Sequence, residues 1–221
     1  MFNILSIDDP LTIFLAISIF LGTIIFLVSI HEASHAWVAN RLGDPTAKHQ
    51  GRISLNPMVH IDPLGTVILP LILIVLSVVT QGGLFLFGWA KPTPFNPWNL
   101  ENPRRDAALI SFAGPTSNFI IAIIVAIIYR LIPFGNELLF VYLQFLITIT
   151  LVLGIFNLLP IAPLDGFKVV AGLLPKELSL KWERLERYGP IFLLAVIFFG
   201  APIISPLIGT LLNVFLGILI G

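Results

Sequence analysis

Two histidines and a glutamate stand near the end of a long uncharged stretch, in the sequence HEASH of residues 31–35. Residues four apart lie on one face of an α-helix, so His31 and His35 can both point at one metal ion. Glu32 follows directly and can reach water that this metal activates. The spacing H-E-x-x-H is typical of zinc hydrolases, in which two imidazoles bind the metal and the carboxylate acts as a base. These residues therefore predict a metal-dependent hydrolase.

Helix packing is the alternative explanation of the motif, because polar side chains of membrane helices often hydrogen-bond to neighbouring helices. The chain has four histidines in total, and two of them fall in this one motif. Ionisable residues within membrane helices are mostly functional. We therefore favour the metal site over packing.

A catalytic zinc site has three protein ligands and one open position, so the motif needs a third ligand. Asp165 is the strongest candidate, because it follows an apolar helix and lies in a break rich in proline and glycine. Such breaks occur at membrane depth only where they are buried in protein or line a watery cavity. The other candidates lie in termini, loops or helix starts, where solvation or the helix dipole explains them: Asp8, Asp9, Asp44, His49, His60 and Glu137.

Three polar residues are candidates for supporting roles. Asn118 and Asn157 lie in later apolar stretches and could donate to the oxyanion of a tetrahedral intermediate. Hydrogen bonds between helices would explain both asparagines equally well. His60, in the sequence HIDP, is a candidate for a group that supports the metal ligands from behind.

The composition is that of a membrane protein. The chain is 57% hydrophobic and 11% charged, with a mean hydropathy of +1.00, which is far too apolar for a soluble domain of 221 residues. Its formal net charge is zero and it has no cysteine, which argues against nucleic acid as a partner and excludes a disulfide framework or thiolate metal site. We expect a single integral membrane domain over residues 1–221, with its core at about 10–175.

Apolar runs and helix signals predict an all-α polytopic fold with about five or six membrane helices. Asp9 and Pro10 predict the start of a first helix that continues to about Gly43. Later helices are predicted from Asn102 to Pro133 and from Asn136 to Leu159. Residues 189–221 contain two prolines and form either one broken span or a hairpin.

HEASH and the later sequence NLLPIAPLDG together resemble the site-2 protease family of intramembrane zinc metalloproteases. The sequence AGPTSN (113–118) resembles the family's intervening helix. The sequences SLNPMVHIDPLGT and FGWAKPTPFNP are similar to a compact branch of the family without PDZ or CBS domains. The resemblance implies that His31, His35 and Asp165 bind one Zn2+ and that Glu32 is the base. It also implies substrates that are transmembrane proteins of the lipid bilayer. The chain departs from the family pattern at Ala162, where a proline is usual.

If both histidines meet Asp165 at one depth in the membrane, the topology is constrained. Each of these residues lies at the C-terminal end of its helix, so the two helices must run in the same direction. Two apolar runs, residues 64–80 and 103–132, lie between these helices, and only one of them can cross the membrane. Helix 64–80 rises about 25 Å, and the stretch LFLFGWA spans about 23 Å when extended. A strand that runs back would therefore return the chain to the depth at which the helix began. We predict a re-entrant helix–strand segment at about 64–90, whose strand returns toward the zinc and offers its edge to substrate.

The positive charges favour this arrangement. The chain has 12 lysines and arginines. This arrangement places all of them except Arg130 on the membrane face that carries the active site. The positive-inside rule then makes that face cytoplasmic and the N-terminus external. We expect a plasma membrane, of prokaryotic type.

The function expected from these observations is hydrolysis of peptide bonds within or next to transmembrane segments by a zinc metalloendopeptidase. One alternative is a catalytically silent family member that binds membrane helices as a scaffold or chaperone, but such a protein has no need of Glu32. Another is a metal transporter, against which the LDG motif and the lack of an internal repeat both argue.

Overall fold

The computed structural model describes residues 9–80, 88–133 and 135–221. These residues form nine α-helices and no strand, which confirms the all-α prediction. The helices are α1 (Pro10–Arg41), α2 (Thr46–His49), α3 (Leu69–Thr80), α4 (Pro103–Leu131), α5 (Glu137–Asn157), α6 (Asp165–Leu173), α7 (Lys176–Glu183), α8 (Gly189–Phe199) and α9 (Ala201–Leu219).

Four helices are long and apolar enough to cross a membrane, namely α1, α4, α5 and α9. The chain is therefore a multi-pass membrane protein. The remaining apolar segments of the prediction are shorter helices, with 12 residues in α3 and 11 in α8. Helices α8 and α9 meet at Gly200, so residues 189–221 form two helices of which α9 has the length of a span.

The helix ends follow from local sequence. The Asp9 carboxylate accepts hydrogen bonds from the backbone N–H groups of Leu11 and Thr12 at 3.3 and 3.0 Å, and Pro10 occupies the first turn of α1. Helix α1 ends at Arg41, and Gly43 then takes a φ of +101°, which L side chains rarely adopt. Asn136 caps α5 as predicted, since its side chain accepts from the N–H of Leu139 at 3.1 Å.

Helix α4 is the central helix of the fold. It packs against α1, α5 and α6, and it is the most buried of the four long helices. With α5 and α9 it forms the largest apolar core, in which Ala122 and Ile147 are completely buried. At the far end of this core, the Arg130 guanidinium donates to the backbone carbonyl of Leu219 at 2.7 Å, where it stabilises the C-terminus of α9.

Contacts along α4 establish the helix directions. Asn118 lies against Gly154 of α5, and the rings of Tyr129 and Phe140 are 5.3 Å apart, so α4 and α5 are antiparallel. Ile110 lies beside His35 and Asn118 lies beside His31, so α4 and α1 are also antiparallel. Helices α1 and α5 consequently run in the same direction, which the sequence argument required.

The two ends of the segment at 64–90 lie side by side. The N–H of Trp89 donates to the carbonyl of Gly65 at 3.1 Å, and the hydroxyl of Thr66 donates to the carbonyl of Trp89 at 2.8 Å. A Cβ atom at Gly65 would lie 2.3 Å from the Trp89 ring, so this close approach requires glycine. The segment 64–90 therefore begins and ends at the same place in the fold. Residues 84–87 of the predicted strand lie outside the described residues, and residues 88–90 form no regular secondary structure.

Candidate metal centre

Two imidazoles and one carboxylate meet inside the fold. Oδ2 of Asp165 lies 3.0 Å from Nε2 of His31 and 3.4 Å from Nε2 of His35. Both histidines are buried, with 7% and 6% of their surface exposed. The HEASH motif lies on α1, whereas Asp165 is the first residue of α6, where the helix dipole stabilises its negative charge.

The LDG turn needs its glycine to bring Asp165 into place. A Cβ atom at Gly166 would lie 2.1 Å from the carbonyl oxygen of Leu158, so only glycine allows the start of α6 to pack against the end of α5. Asp165 is thereby held in contact with both imidazoles, where a carboxylate can complete a metal-binding set.

Each imidazole is oriented from behind by helix α4. Nδ1 of His35 donates to the carbonyl oxygen of Ile110 at 2.6 Å, which leaves its Nε2 free to bind a metal. Nδ1 of His31 lies 3.3 Å from the Asn118 amide, whose oxygen is buried without a partner among the described residues. Turning that amide over would let this oxygen accept from Nδ1–H of His31. That is the pairing required when a metal occupies Nε2, so the orphaned oxygen fits a metal site.

Gly114 provides the space in front of the two histidines. A Cβ atom at this position would lie 2.5 Å from Nε2 of His31 and 2.5 Å from Nε2 of His35. Both potential metal-binding nitrogens therefore face a position of α4 that carries no side chain. The donor set of two imidazoles and a carboxylate, together with this space, fits a zinc ion.

Glu32 lies beside the two histidines, and one of its carboxylate oxygens is within 4.8 Å of a ring nitrogen of each. Distance alone therefore admits Glu32 as a ligand. Its carboxylate is already held elsewhere, since Oε2 accepts hydrogen bonds from the N–H and the hydroxyl of Thr93 at 3.0 and 2.8 Å. Asp165 makes the closer contacts with both imidazoles, which favours Asp165 as the third ligand and leaves Glu32 available as a base.

The other two sequence candidates make their hydrogen bonds elsewhere. The Asn157 amide donates to the carbonyl of Leu153 in its own helix at 2.9 Å. His60 is 1% exposed, and its Nε2 donates to the carbonyl of Ser54 at 2.8 Å. Within the described ranges, no hydrogen bond joins either residue to the ligand set. Asn118, by contrast, contacts His31 directly.

The roles of two residues, Thr93 and Asp44, were not predicted from the sequence. Thr93 contacts Glu32, and the only signal for it in the sequence is its position between Pro92 and Pro94. Asp44 was expected to be solvated, and that expectation was wrong. It is completely buried and accepts hydrogen bonds from four donors, which are the N–H and hydroxyl of Thr46, the N–H of Asn96 and the amide of Asn99.

Comparison with known proteins agrees with this geometry. A sequence model of Peptidase family M50 matches residues 19–138 and 132–197, without an inserted PDZ or CBS domain. The putative zinc metalloprotease YwhC of Bacillus subtilis is 38% identical over 199 residues, which cover 86% of this chain and 84% of that protein. The putative zinc metalloprotease Rip2 of Mycobacterium tuberculosis (strain ATCC 25618 / H37Rv) is 32% identical over 184 residues, which cover 81% of this chain and 66% of that protein. No solved structure matches the chain. The resemblance stated from HEASH and LDG is thereby confirmed, and the chain belongs to peptidase family M50, the site-2 proteases.

Proposed function

We propose that this protein is a zinc metalloendopeptidase that hydrolyses peptide bonds within or next to transmembrane segments of other proteins. One observation carries the proposal, namely the contact of His31, His35 and Asp165 at a single point inside a multi-pass membrane fold, with Glu32 beside them. The names of the relatives, putative zinc metalloproteases, support zinc as the metal.

The four residues have distinct roles in the proposal. His31, His35 and Asp165 hold the zinc ion. When bound, zinc lowers the pKa of water from about 15.7 to about 7 and polarises a peptide carbonyl. Glu32 accepts a proton from the attacking water and delivers it to the leaving amine. Asn118 keeps the ring of His31 in its orientation, and this contact accounts for Asn118 better than the predicted oxyanion role does.

The substrate must be locally unwound before it can be cut. A transmembrane segment is helical and its carbonyl groups are already hydrogen-bonded, because hydrocarbon offers them no other partner. Glycine or proline near the scissile bond should therefore accelerate cleavage. The surrounding lipid bilayer is the medium in which enzyme and substrate meet.

The active site is proposed to lie near the cytoplasmic face of the plasma membrane. Hydrogen bonds link Ser54 to His60 and His60 to Lys91, and Asn96 is joined to Asp44, so the segments before and after the re-entrant region lie together. The positive-inside rule makes this the cytoplasmic side. The chain has no cysteine, so single cysteines at Ser54 and Asn96 can be labelled selectively in intact cells. Labelling of either cysteine from outside the intact cell would refute this orientation, and labelling of the two from opposite sides would refute the re-entrant arrangement.

The catalytic proposal is tested with purified wild type and Glu32→Gln. Both should contain zinc, and the variant should cleave a helical membrane substrate about 100 to 10,000 times more slowly, which is the usual contribution of a general base. Glu137→Gln, at the exposed start of α5, is the matched control and should cleave like wild type. Equal rates for wild type and Glu32→Gln would contradict the proposal. A wild type that binds membrane substrates and cleaves none would favour the scaffold alternative.

A further inference from the structure

Residues 91–96, KPTPFN, form a strap that passes directly over the proposed base. One end is fixed by the N–H of Lys91, which donates to the carbonyl of His60 at 2.9 Å. The other end is fixed by the N–H of Asn96, which donates to Oδ2 of the buried Asp44 at 2.7 Å. Thr93 lies between these two anchors and faces Glu32.

Thr93 donates two hydrogen bonds to one oxygen of the Glu32 carboxylate. Its backbone N–H lies 3.0 Å from Oε2 and its hydroxyl lies 2.8 Å from the same oxygen. The hydroxyl is also 3.1 Å from the backbone carbonyl of Glu32, but it has a single hydrogen and the charged oxygen is the stronger acceptor. Oε1 accepts no hydrogen bond from the described part of the chain, so one oxygen is held and the other is free for proton transfer.

The strap is stiff and well supported. Prolines at positions 92 and 94 fix their own φ angles, and Pro94 also restricts the backbone of Thr93 to extended conformations. Phe95 packs against the buried cluster that includes Ala39 and Ile110, and the Lys168 ammonium lies 5.0 Å from its ring centroid. The strap therefore contacts α1, α4 and α6, the three helices that build the metal centre.

We infer that Thr93 is a positioning residue that holds the catalytic carboxylate of Glu32 in its working orientation. The inference rests on the proposed function, because it takes Glu32 as the base. A glutamate side chain has several rotamers of similar energy, and two donors from a stiff segment select one of them. Without the hydroxyl, Glu32 spends only part of its time in that rotamer, and kcat falls.

The first test compares Thr93→Val with Thr93→Ser. Valine keeps the shape and the backbone donor but removes the hydroxyl, so kcat should fall about 10- to 100-fold, the loss expected for one charge-assisted hydrogen bond. KM and zinc content should stay at wild-type values. Serine restores the hydroxyl and should recover kcat to within about threefold of wild type. Thr148→Val is the matched control, because the Thr148 hydroxyl bonds to the Gln144 carbonyl of its own helix and to nothing else in the described part of the chain.

A second test does not depend on activity. The tripeptide 92–94 contains a single backbone N–H, that of Thr93, because both flanking residues are proline. Hydrogen exchange at this amide reports directly on its bond to Glu32. Exchange should become at least about tenfold faster in Glu32→Ala, where the acceptor is gone, and should not change in Glu137→Ala.

The outcomes separate this inference from the proposed function. Wild-type kcat in Thr93→Val, equally low kcat in Thr93→Ser, or unchanged exchange in Glu32→Ala would each overturn the positioning role. Loss of zinc or of folded protein in Thr93→Val would make Thr93 a structural residue and overturn it as well. Failure of wild type to cleave any substrate would refute the proposed function, while the exchange rates would still show whether Thr93 holds Glu32.

Discussion

Replacing Gly114 by alanine should abolish the metal site while leaving the fold nearly intact. The new Cβ atom would lie 2.5 Å from Nε2 of His31 and of His35, whereas ordinary contacts begin at 3.4 Å. Both imidazoles are ends of side chains and can retreat by about 0.9 Å without moving a helix. For His35 that movement strains the 2.6 Å hydrogen bond to Ile110, which orients the ring.

The effects on stability and on function differ in size. Alanine in a helix interior is favoured over glycine by about 1 kcal/mol, and overpacking costs about 1–3 kcal/mol, so the free energy of unfolding should fall by about 0–2 kcal/mol. A displacement of about 1 Å at reacting groups costs on the order of 100-fold in rate. Gly114→Ala should therefore remain folded, lose most of its zinc and cleave at least about 100 times more slowly.

The assay measures zinc per chain by mass spectrometry, cleavage rate and thermal unfolding on the same detergent-solubilised samples. Gly22→Ala is the matched control, since Gly22 also lies within a membrane helix and a Cβ atom there meets nothing within 4 Å. Wild-type zinc content and cleavage rate in Gly114→Ala would refute the reasoning, because the space in front of the histidines would then be unnecessary.

Two further predictions follow from buried polar contacts. Asn118→Leu should weaken zinc binding about 10- to 100-fold in a chelator competition, because it removes the partner of His31, whereas Asn157→Leu should not; equal effects would contradict the distinction. Asp44→Asn should destabilise the protein by about 2 kcal/mol, because one of the four donors to this buried side chain loses its acceptor. Burial raises the pKa of Asp44, but the hydrogen bonds from Thr46, Asn99 and Asn96 outweigh it and lower that pKa below the usual range. The ionised form therefore stabilises the wild type fully above about pH 4, and this stabilisation disappears as the pH falls through the lower folded pKa. Thermal unfolding of Asp44→Asn should lack this acid-dependent loss, and parallel pH profiles for variant and wild type would contradict the prediction.

Local signals in the sequence predicted the helices and the residues that meet at the candidate metal centre. Asp9 with Pro10, and Asn136, mark helix starts that the structure confirms, because a cap acts within three residues of itself. The four-residue spacing of HEASH likewise indicates one helix face without any knowledge of the fold. The helix directions followed from requiring HEASH and the LDG turn to meet.

Contacts between distant segments could not be predicted in this way. Thr93 contacts a residue 61 positions earlier, and Asp44 accepts from residues 52 and 55 positions later. No periodicity or local spacing reports such pairs, so Asp44 resembled an ordinary loop residue. Gly114 is in the sequence one residue of the stretch AGPTSN, and its importance is the room that it leaves for side chains of α1, which only the packed structure shows.

The separation of 134 residues between His31 and Asp165 also has a consequence for biosynthesis. At about 5–20 residues per second, a ribosome needs roughly 7–27 s to extend the chain from one to the other. During that interval the chain contains the HEASH helix and, later, its partners Thr93, Ile110 and Asn118, but not yet the Asp165 carboxylate. The three-residue set proposed to bind zinc is therefore incomplete in the nascent chain until the LDG turn has been made.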